Sequence, residues 1–123
     1  MIRILVIDDD RHMRTVCMRA LSTAGWLAIG AETGDEGLQQ LANTGQKIDA
    51  VLLDQLMPGM SGMDTLAQIR SLDPNLPVII MTGFTTEESV LELKKQGALD
   101  CLAKPFTPEQ LRDTVRRAVE KRF

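Results

Sequence analysis

Short apolar segments and amphipathic helical segments alternate along the entire chain. The apolar segments are predicted to be strands at residues 2–7, 27–31, 49–53, 77–81 and 99–102. Helical periodicity follows each strand, at residues 11–24, about 34–43, about 62–71, 86 to near 97 and 108 to about 122. Repeated strand–helix units with short connections require crossovers, which produce one parallel sheet with helices on both faces. The sequence therefore predicts an α/β fold.

Length and charge narrow the class of protein further. At 123 residues the chain is predicted to be one domain, residues 1–123, that buries roughly two-thirds of its unfolded surface. The net charge of −3 gives no overall basic field, so we expect no direct nucleic-acid binding by this domain. Cys17 and Cys101 show no metal-ligand spacing, and both are expected to be reduced packing residues. No apolar run approaches the roughly 18 residues of a membrane span and no signal peptide is recognisable, so a cytoplasmic protein is expected.

Typical capping residues mark several predicted helix starts. Asp10 is placed to cap the first helix. Thr85 is predicted to cap the fourth helix, in a capping box that Glu88 completes. The last helix is predicted to begin with a second capping box, which Thr107 and Gln110 would form.

Four of the predicted strands end in polar residues with distinct chemistry. The residues that follow these strands are Asp8-Asp9-Asp10, Asp54, Thr82 and Lys104-Pro105. In an open parallel sheet, ligands bind beyond the carboxyl ends of the strands, at the switch in strand order. We therefore expect carboxylates, a hydroxyl and an ammonium group to surround one point at this edge.

The acidic residues at this edge suit a divalent cation and a phosphoryl group. Asp54 would have its backbone held by a buried strand and could attack phosphorus as a nucleophile, although a lone aspartate there is more often a cap. Asp8, Asp9 and Asp10 repel one another unless a cation or a capping role relieves them, and Asp8 and Asp9 with Asp54 offer the oxygen ligands that Mg²⁺ prefers. An acidic, solvated turn is the alternative to a metal site.

Lys104 and Thr82 would complete such a site from two sides. Lys104 precedes Pro105, and a cis peptide is predicted at this bond because X-Pro is where the cis form costs little. It would aim the ammonium group back over the strand ends toward a phosphoryl oxygen. Thr82 would supply a hydroxyl donor. Either residue alone is more often an ordinary surface residue, so the prediction depends on their combination with the three aspartates.

The segments ILVIDDD, VLLDQLMPGMSG, VIIMTG and CLAKPF occur in the order and approximate spacing of a known family. Through them the chain resembles the receiver domain of two-component response regulators, over essentially its whole length. The resemblance implies a flavodoxin-like, doubly wound sheet of five parallel strands in the order 2-1-3-4-5, with five helices. It also implies a phosphorylatable switch that is not an enzyme, since it would catalyse only its own phosphorylation and dephosphorylation.

The resemblance implies a role for each residue at the predicted edge. Asp54 would accept a phosphoryl group from the phosphohistidine of a sensor histidine kinase or of a histidine phosphotransfer protein. Thr82 and Lys104 would bind the phosphoryl oxygens, and a shift of Thr82 would signal the modified state. The surface of the fourth helix, fifth strand and fifth helix would then change, and a homodimer would form through it. The Mg²⁺ ligands would be Asp8, Asp9, Asp54 and the backbone carbonyl of Leu56.

Three departures from the usual family pattern concern the switch itself. Cys101 stands where a Tyr or Phe usually rotates on phosphorylation. Leu56 and Phe84, which flank the predicted phosphoryl site, are apolar and cannot orient an attacking water, so we hypothesise a long-lived phosphoryl state. Gln55 replaces the more usual apolar residue after the phosphoacceptor, and its place in the sequence indicates no consequence.

Two other classes of function compete with the switch. An aspartate-nucleophile phosphatase would carry a second aspartate as general acid where this chain has Leu56. An interaction module that is never phosphorylated would be expected to lack one or more of the five side chains, and all five are present. A dinucleotide-binding domain is disfavoured because Asp8-Asp9 stands where GxGxxG would follow the first strand.

Surface residues give weaker signals. Met18 lies off the apolar stripe of the first helix and is either an incidental exposed methionine or part of a kinase contact. Val90, Leu91 and Leu93 spread over a broad arc of the fourth helix, which suits a homodimer face or looser packing. The last helix mixes cations with acidic residues, as a solvated helix face does. His12 is expected on the exposed face of the first helix.

Overall fold

The computed structural model describes residues 1–43, 45–57, 59–83 and 85–122, with side chains described up to residue 120. The strands in these ranges are β1 (Arg3–Ile7), β2 (Leu27–Ala31), β3 (Ala50–Asp54), β4 (Val78–Thr82) and β5 (Asp100–Ala103). They form one parallel sheet in the order β2-β1-β3-β4-β5. The predicted fold class and strand order are confirmed.

A helix follows each strand and covers one face of the sheet. The helices are α1 (Arg11–Ser22), α2 (Gly34–Ala42), α3 (Gly62–Leu72), α4 (Glu87–Lys95) and α5 (Pro108–Arg122). Apolar residues of α1 and α5 pack with alternate strand positions in one core cluster. Apolar residues of α2, α3 and α4 pack with the other strand positions in a second cluster on the opposite face. Because both faces are covered, β3 and β4 are buried at every position.

The ends of several elements differ from the predicted ones by one or two residues. β3 and β4 each run one residue further than predicted, so Asp54 and Thr82 are the last residues of their strands. The first helix ends at Ser22, two residues earlier than predicted, and its C-cap is Thr23. Gly25 follows with a φ of +82°, in the left-handed region that favours glycine.

The predicted start of α4 is wrong by one residue. Thr86, and not Thr85, is the N-cap, and its Oγ1 accepts a hydrogen bond from the backbone N–H of Ser89 at 3.0 Å. Ser89 Oγ returns the bond by accepting from the backbone N–H of Thr86 at 2.8 Å, so Ser89 takes the place predicted for Glu88. Two consecutive threonines offer the same capping hydroxyl, and the sequence alone does not separate them.

Two other predicted caps are confirmed. Asp10 caps α1, with its Oδ1 accepting from the backbone N–H of His12 at 2.9 Å. Thr107 and Gln110 form the predicted box before α5, since Thr107 Oγ1 accepts from the Gln110 N–H at 3.0 Å and Gln110 Oε1 accepts from the Thr107 N–H at 2.9 Å.

Among the described residues, no helix combines the length and the apolar character needed to cross a membrane.

A close approach between α3 and β3 holds the loop after Asp54 against the sheet. The N–H of Gly62, the first residue of α3, donates to the carbonyl of Gln55 at 3.1 Å. A Cβ at position 62 would fall 2.8 Å from Gln55 Cα, with the Asp54 carbonyl oxygen closer still. Only glycine allows the helix to begin this near to the end of β3. The start of α3 therefore constrains the backbone around Asp54.

Candidate functional site

The carboxyl ends of β1, β3 and β5 bring three charged side chains together. Asp8 follows β1 and Asp54 ends β3, while Lys104 follows β5. Lys104 Nζ lies 3.2 Å from Asp54 Oδ1 and 3.3 Å from Asp8 Oδ2. The backbone N–H of Lys104 donates to the Thr82 carbonyl at 2.7 Å, which fixes the start of the lysine side chain beside β4. The predicted meeting of these strand ends is observed.

The acidic residues of this edge have the chemistry of a cation site. One carboxylate oxygen from each of Asp8, Asp9 and Asp54 lies within 4.8 Å of the others. Asp8 and Asp54 are buried and Asp9 is exposed, so the cluster opens to solvent on one side. A donor set made of oxygens alone suits a hard divalent cation such as Mg²⁺, with water completing the shell.

Backbone contacts hold Asp8 in place. Its Oδ1 accepts from the backbone N–H of Asp10 at 2.9 Å, which ties it to the cap of α1. Arg14, one turn into α1, donates from Nη1 to the Asp8 carbonyl oxygen at 2.7 Å. Sequence reasoning missed Arg14, because nothing in the pattern of α1 indicates that its side chain returns to the end of β1.

The electrostatics of the cluster oppose the charge of Asp54 and favour that of Lys104. Burial raises the pKa of Asp54 above its ordinary value and Asp8 raises it further, whereas Lys104 and the backbone N–H of Leu56 pull the pKa back down. Burial works against the charge of Lys104, but Asp8 and Asp54 outweigh it and raise the pKa of the lysine. Lys104 therefore remains a cation between two carboxylates at neutral pH.

Thr82 makes a contact that the sequence did not indicate. Its Oγ1 donates a hydrogen bond to Gln55 Oε1 at 2.6 Å. Thr82 is buried at the end of β4, and Gln55 is half-buried directly after Asp54. The bond depends on the register between β3 and β4, and that register cannot be read from either segment alone.

The apolar neighbours predicted to flank the site are described in part. The Leu56 side chain is 80% exposed and its backbone N–H hydrogen-bonds to the Asp54 carboxylate. Phe84 lies outside the described residues, so its predicted place beside Thr82 stays a prediction.

The other predicted switch positions lie close to this edge. Cys101 is half-buried in β5 and packs against the core cluster beneath α2, α3 and α4. The bond between Lys104 and Pro105 is cis, as predicted. Cys17 and Cys101 are both free thiols, Cys17 fully buried, which agrees with the prediction that neither forms a disulfide.

The remaining surface predictions have mixed outcomes. His12 is exposed, as predicted. Met18 is half-buried and packs against the core, so it is less exposed than expected. On α4, Leu93 is buried, Val90 is half-buried and Leu91 is 60% exposed. The broad apolar arc of α4 therefore leaves one large side chain on the surface.

The fold and the side chains at the carboxyl edge of the sheet define the class of protein. It is an α/β protein with a cluster of carboxylate oxygens, suited to a divalent cation, where the strand order reverses. A family model for the response regulator receiver domain matches residues 4–116. The chain therefore belongs to the receiver domain family of two-component response regulators.

Individual relatives support the same assignment. Over 114 residues the chain is 41% identical to the DNA-binding transcriptional regulator NtrC of Escherichia coli (strain K12), a match that covers 93% of this chain and 24% of NtrC. The chain thus spans about a quarter of that relative's length. A receiver domain protein from Clostridium thermocellum has a similar structure, with a TM-score of 0.90 and 32% identity over 98% of this chain and 96% of that one. The chemotaxis protein CheY4 of Vibrio cholerae gives a TM-score of 0.89 and 30% identity over 96% and 98%.

Proposed function

We propose that this chain is a phosphoacceptor switch in which Asp54 takes a phosphoryl group from a phosphohistidine of a sensor histidine kinase or a histidine phosphotransfer protein. The observation that carries the proposal is the position of Lys104 Nζ, 3.2 Å from the Asp54 carboxylate and 3.3 Å from that of Asp8. A buried strand end holds the nucleophile, and a cation stands beside it at hydrogen-bond distance. Family membership independently supports a receiver role.

The chemistry follows from the groups at the edge. A carboxylate oxygen of Asp54 attacks phosphorus, the P–N bond to the imidazole breaks, and its electron pair returns to the imidazole nitrogen. Lys104 donates to a phosphoryl oxygen and offsets the charge that gathers there. Thr82 supplies a hydroxyl donor to a second phosphoryl oxygen and thereby reports that the group is present.

Asp8, Asp9 and Asp54 would hold Mg²⁺, together with the backbone carbonyl of Leu56. Oxygen atoms of the three carboxylates within 4.8 Å of one another support this ligand set. When bound, Mg²⁺ offsets the negative charge of the carboxylates and of the incoming phosphoryl group. Asp8 is suited to the role because its backbone and side chain are both fixed, by Arg14 and by Asp10.

The output surface in this proposal is formed by α4, β5 and α5. Leu91 and Val90 supply apolar area on this surface, and a homodimer would bury it. In β5, Cys101 takes the place of the usual aromatic residue, so the shift of Thr82 must reach this surface without the rotation of an aromatic ring.

Residues 1–123 would act as one receiver domain without direct nucleic-acid contact. The cations of α5 that the structure describes already have partners within the domain. Arg116 pairs with Asp113 at 3.1 Å. Arg112 donates to Thr23 Oγ1 at 3.0 Å, at the end of α1. Such pairing leaves little of the unbalanced positive surface that phosphate contacts need.

Acetyl phosphate with Mg²⁺, read by intact mass, tests the proposal. We expect one added phosphoryl group on the wild-type chain, and none on Asp54→Asn or in Mg²⁺-free buffer. Asp64→Asn is the matched control, since Asp64 is an exposed aspartate of α3, and it should be modified like the wild type. Release of phosphate without an adduct would instead indicate a phosphatase. Neither adduct nor Mg²⁺ binding would indicate an interaction module.

A further inference from the structure

Gln55 has no part in the chemistry proposed above, yet its side chain contacts the Thr82 hydroxyl. Thr82 Oγ1 donates to Gln55 Oε1 at 2.6 Å, within the range of good O–H···O bonds. Thr82 is only 3% exposed, so water competes poorly for this bond. A hydrogen bond in such a setting holds the hydroxyl in one orientation.

Strand alternation places this bond on the opposite side of the sheet from the charged cluster. Strand positions alternate between the core under α1 and α5 and the core under α2, α3 and α4. The positions that face α1 and α5 continue beyond the core into Asp8, Asp54 and Lys104. Gln55 and Thr82 continue the positions that face α2, α3 and α4, and the Gln55 N–H extends the ladder by donating to the Met81 carbonyl at 3.0 Å. The bond therefore directs the Thr82 hydroxyl away from the side on which Asp54 lies.

We propose that Gln55 is a positioning residue that holds the Thr82 hydroxyl in the unmodified protein and so opposes the switch. The inference rests on the proposed function. A hydroxyl has one proton to donate, so Thr82 must leave Gln55 Oε1 before it can donate to a phosphoryl oxygen on Asp54. The charged phosphoryl oxygen is the stronger acceptor, so the transfer of the Thr82 hydrogen bond from Gln55 to the phosphoryl group is favourable. The loss of the bond to Gln55 reduces the free energy gained by this transfer. Gln55 thereby sets how far a phosphoryl group shifts the domain toward its modified state.

Removing the acceptor should make the modified state easier to reach. In Gln55→Leu, which keeps a side chain of similar size, the hydrogen bond from Thr82 to position 55 is lost, and it is lost in the unmodified state only. We expect the affinity for beryllofluoride in Mg²⁺ buffer, a phosphoryl mimic, to rise about threefold to tenfold, the value of one ordinary hydrogen bond. Gln55→Ala should show the same direction and serves as the second variant if Gln55→Leu folds poorly. Gln39→Leu, at an exposed position of α2, is the matched control and should bind like the wild type.

A double-mutant cycle separates positioning from general structural effects. In the Thr82→Ala background, Gln55→Leu should leave beryllofluoride affinity unchanged, because the bond is already absent. A second readout needs neither metal nor phosphoryl mimic. Three-bond couplings of Thr82 in the unmodified protein should report a single side-chain rotamer in the wild type and a mixture of rotamers in Gln55→Leu.

Three results of these experiments would overturn the positioning role of Gln55. Equal beryllofluoride affinity in the wild type and Gln55→Leu would overturn the inference, as would an effect of Gln55→Leu that persists in the Thr82→Ala background. A mixture of Thr82 rotamers in the unmodified wild type would overturn it as well. If the wild type neither binds beryllofluoride nor forms an acyl phosphate, the proposed function itself fails and the inference fails with it.

Discussion

At the scale of single residues, Asp54 ionises against its surroundings. Burial and the neighbouring Asp8 raise its pKa, and Lys104 offsets only part of that rise. A raised native pKa means that the stabilising contribution of Asp54 is complete below its unfolded pKa and is lost as the pH rises through the native pKa. The ionised carboxylate that the proposed reaction requires is therefore maintained at a cost in stability.

We predict that Asp54→Asn raises the free energy of unfolding at pH 7 by roughly 1 kcal/mol, because it removes a buried charge next to Asp8. The gain should shrink when the pH falls below about 4, where Asp54 is protonated in both states. Urea unfolding at pH values from about 3.5 to about 8 measures the gain in stability at neutral pH and its decrease at low pH. Asp64→Asn, at an exposed site, should change stability little at any pH. An equal loss of stability for Asp54→Asn at both ends of the range would contradict the prediction.

The proposed function makes a second property of the site, the lifetime of the phosphoryl group, depend on Leu56. Its side chain is 80% exposed beside Asp54 and carries no polar atom that could orient an attacking water. We predict an acyl phosphate that persists for minutes or longer after acetyl phosphate is removed, and a lifetime shortened by roughly tenfold in Leu56→Asn. Intact mass followed over time measures the decay. Leu72→Asn, at another exposed leucine, is the control. Decay of the wild-type adduct within seconds would refute the prediction.

Several residues of the site were predictable because their placement follows from chain topology. Asp8, Asp54 and Lys104 each follow an apolar strand, and parallel strands bring their carboxyl ends to one edge whatever the details of packing. Gln55 and Arg14 were not predictable. Gln55 reaches Thr82 across a register that only the paired strands define, and Arg14 reaches Asp8 by a side-chain path that helix periodicity does not reveal.

At the scale of elements, the order of strands and helices was predictable and their ends were less so. Alternation of apolar and amphipathic segments follows from burial, which involves many residues at once. A helix start depends on one or two hydrogen bonds, and neighbouring hydroxyls compete for them. Thr85 and Thr86 are such neighbours, and the reciprocal bond from Ser89 favours Thr86.

The capping of α4 can be tested at these two adjacent positions. We predict that Thr86→Ala lowers the free energy of unfolding by about 1 kcal/mol and speeds amide hydrogen exchange in the first turn of α4, since it removes the N-cap acceptor. Thr85→Ala should leave both quantities nearly unchanged and is the matched control. Among its described residues, α4 has only Leu93 buried, so the cap is a large part of what holds this helix. The reverse order of effects would restore Thr85 as the cap.

At the scale of the whole molecule, the buried core and the charged edge act on each other. Cys17 lies in the core beneath α1 and α5, with its Sγ 4.0 Å from Met81 Sδ. Burial, followed by the charge of Asp8, raises the pKa of the Cys17 thiol to about 12, although Lys104 lowers it in part. The pKa of a thiol in the core thus depends on the charges of Asp8 and Lys104 at the site.

The raised pKa of Cys17, which is due first to burial and then to Asp8, makes the fold less stable at alkaline pH. Because the native pKa of Cys17 is raised, its contribution to stability is complete below the unfolded value of 9.0 and is lost as the pH rises toward about 12. The loss amounts to roughly 1.4 kcal/mol per pH unit within that window. The raised pKa values of Cys101 and Lys104 act in the same direction.

We predict that Cys17→Ala is less stable than the wild type at pH 7 by roughly 1 to 3 kcal/mol, because it leaves a small cavity. The difference should then narrow by roughly 2 kcal/mol at pH 10.5, where the wild type has lost stability through its thiol and the variant has not. Urea unfolding at intervals between these pH values measures the narrowing. Val115→Ala truncates a fully buried side chain in the same cluster without removing a titrating group, so its curve should stay parallel to that of the wild type. Parallel curves for Cys17→Ala would show that the thiol does not carry this pH dependence, and the alkaline loss would then belong to Lys104 and Cys101.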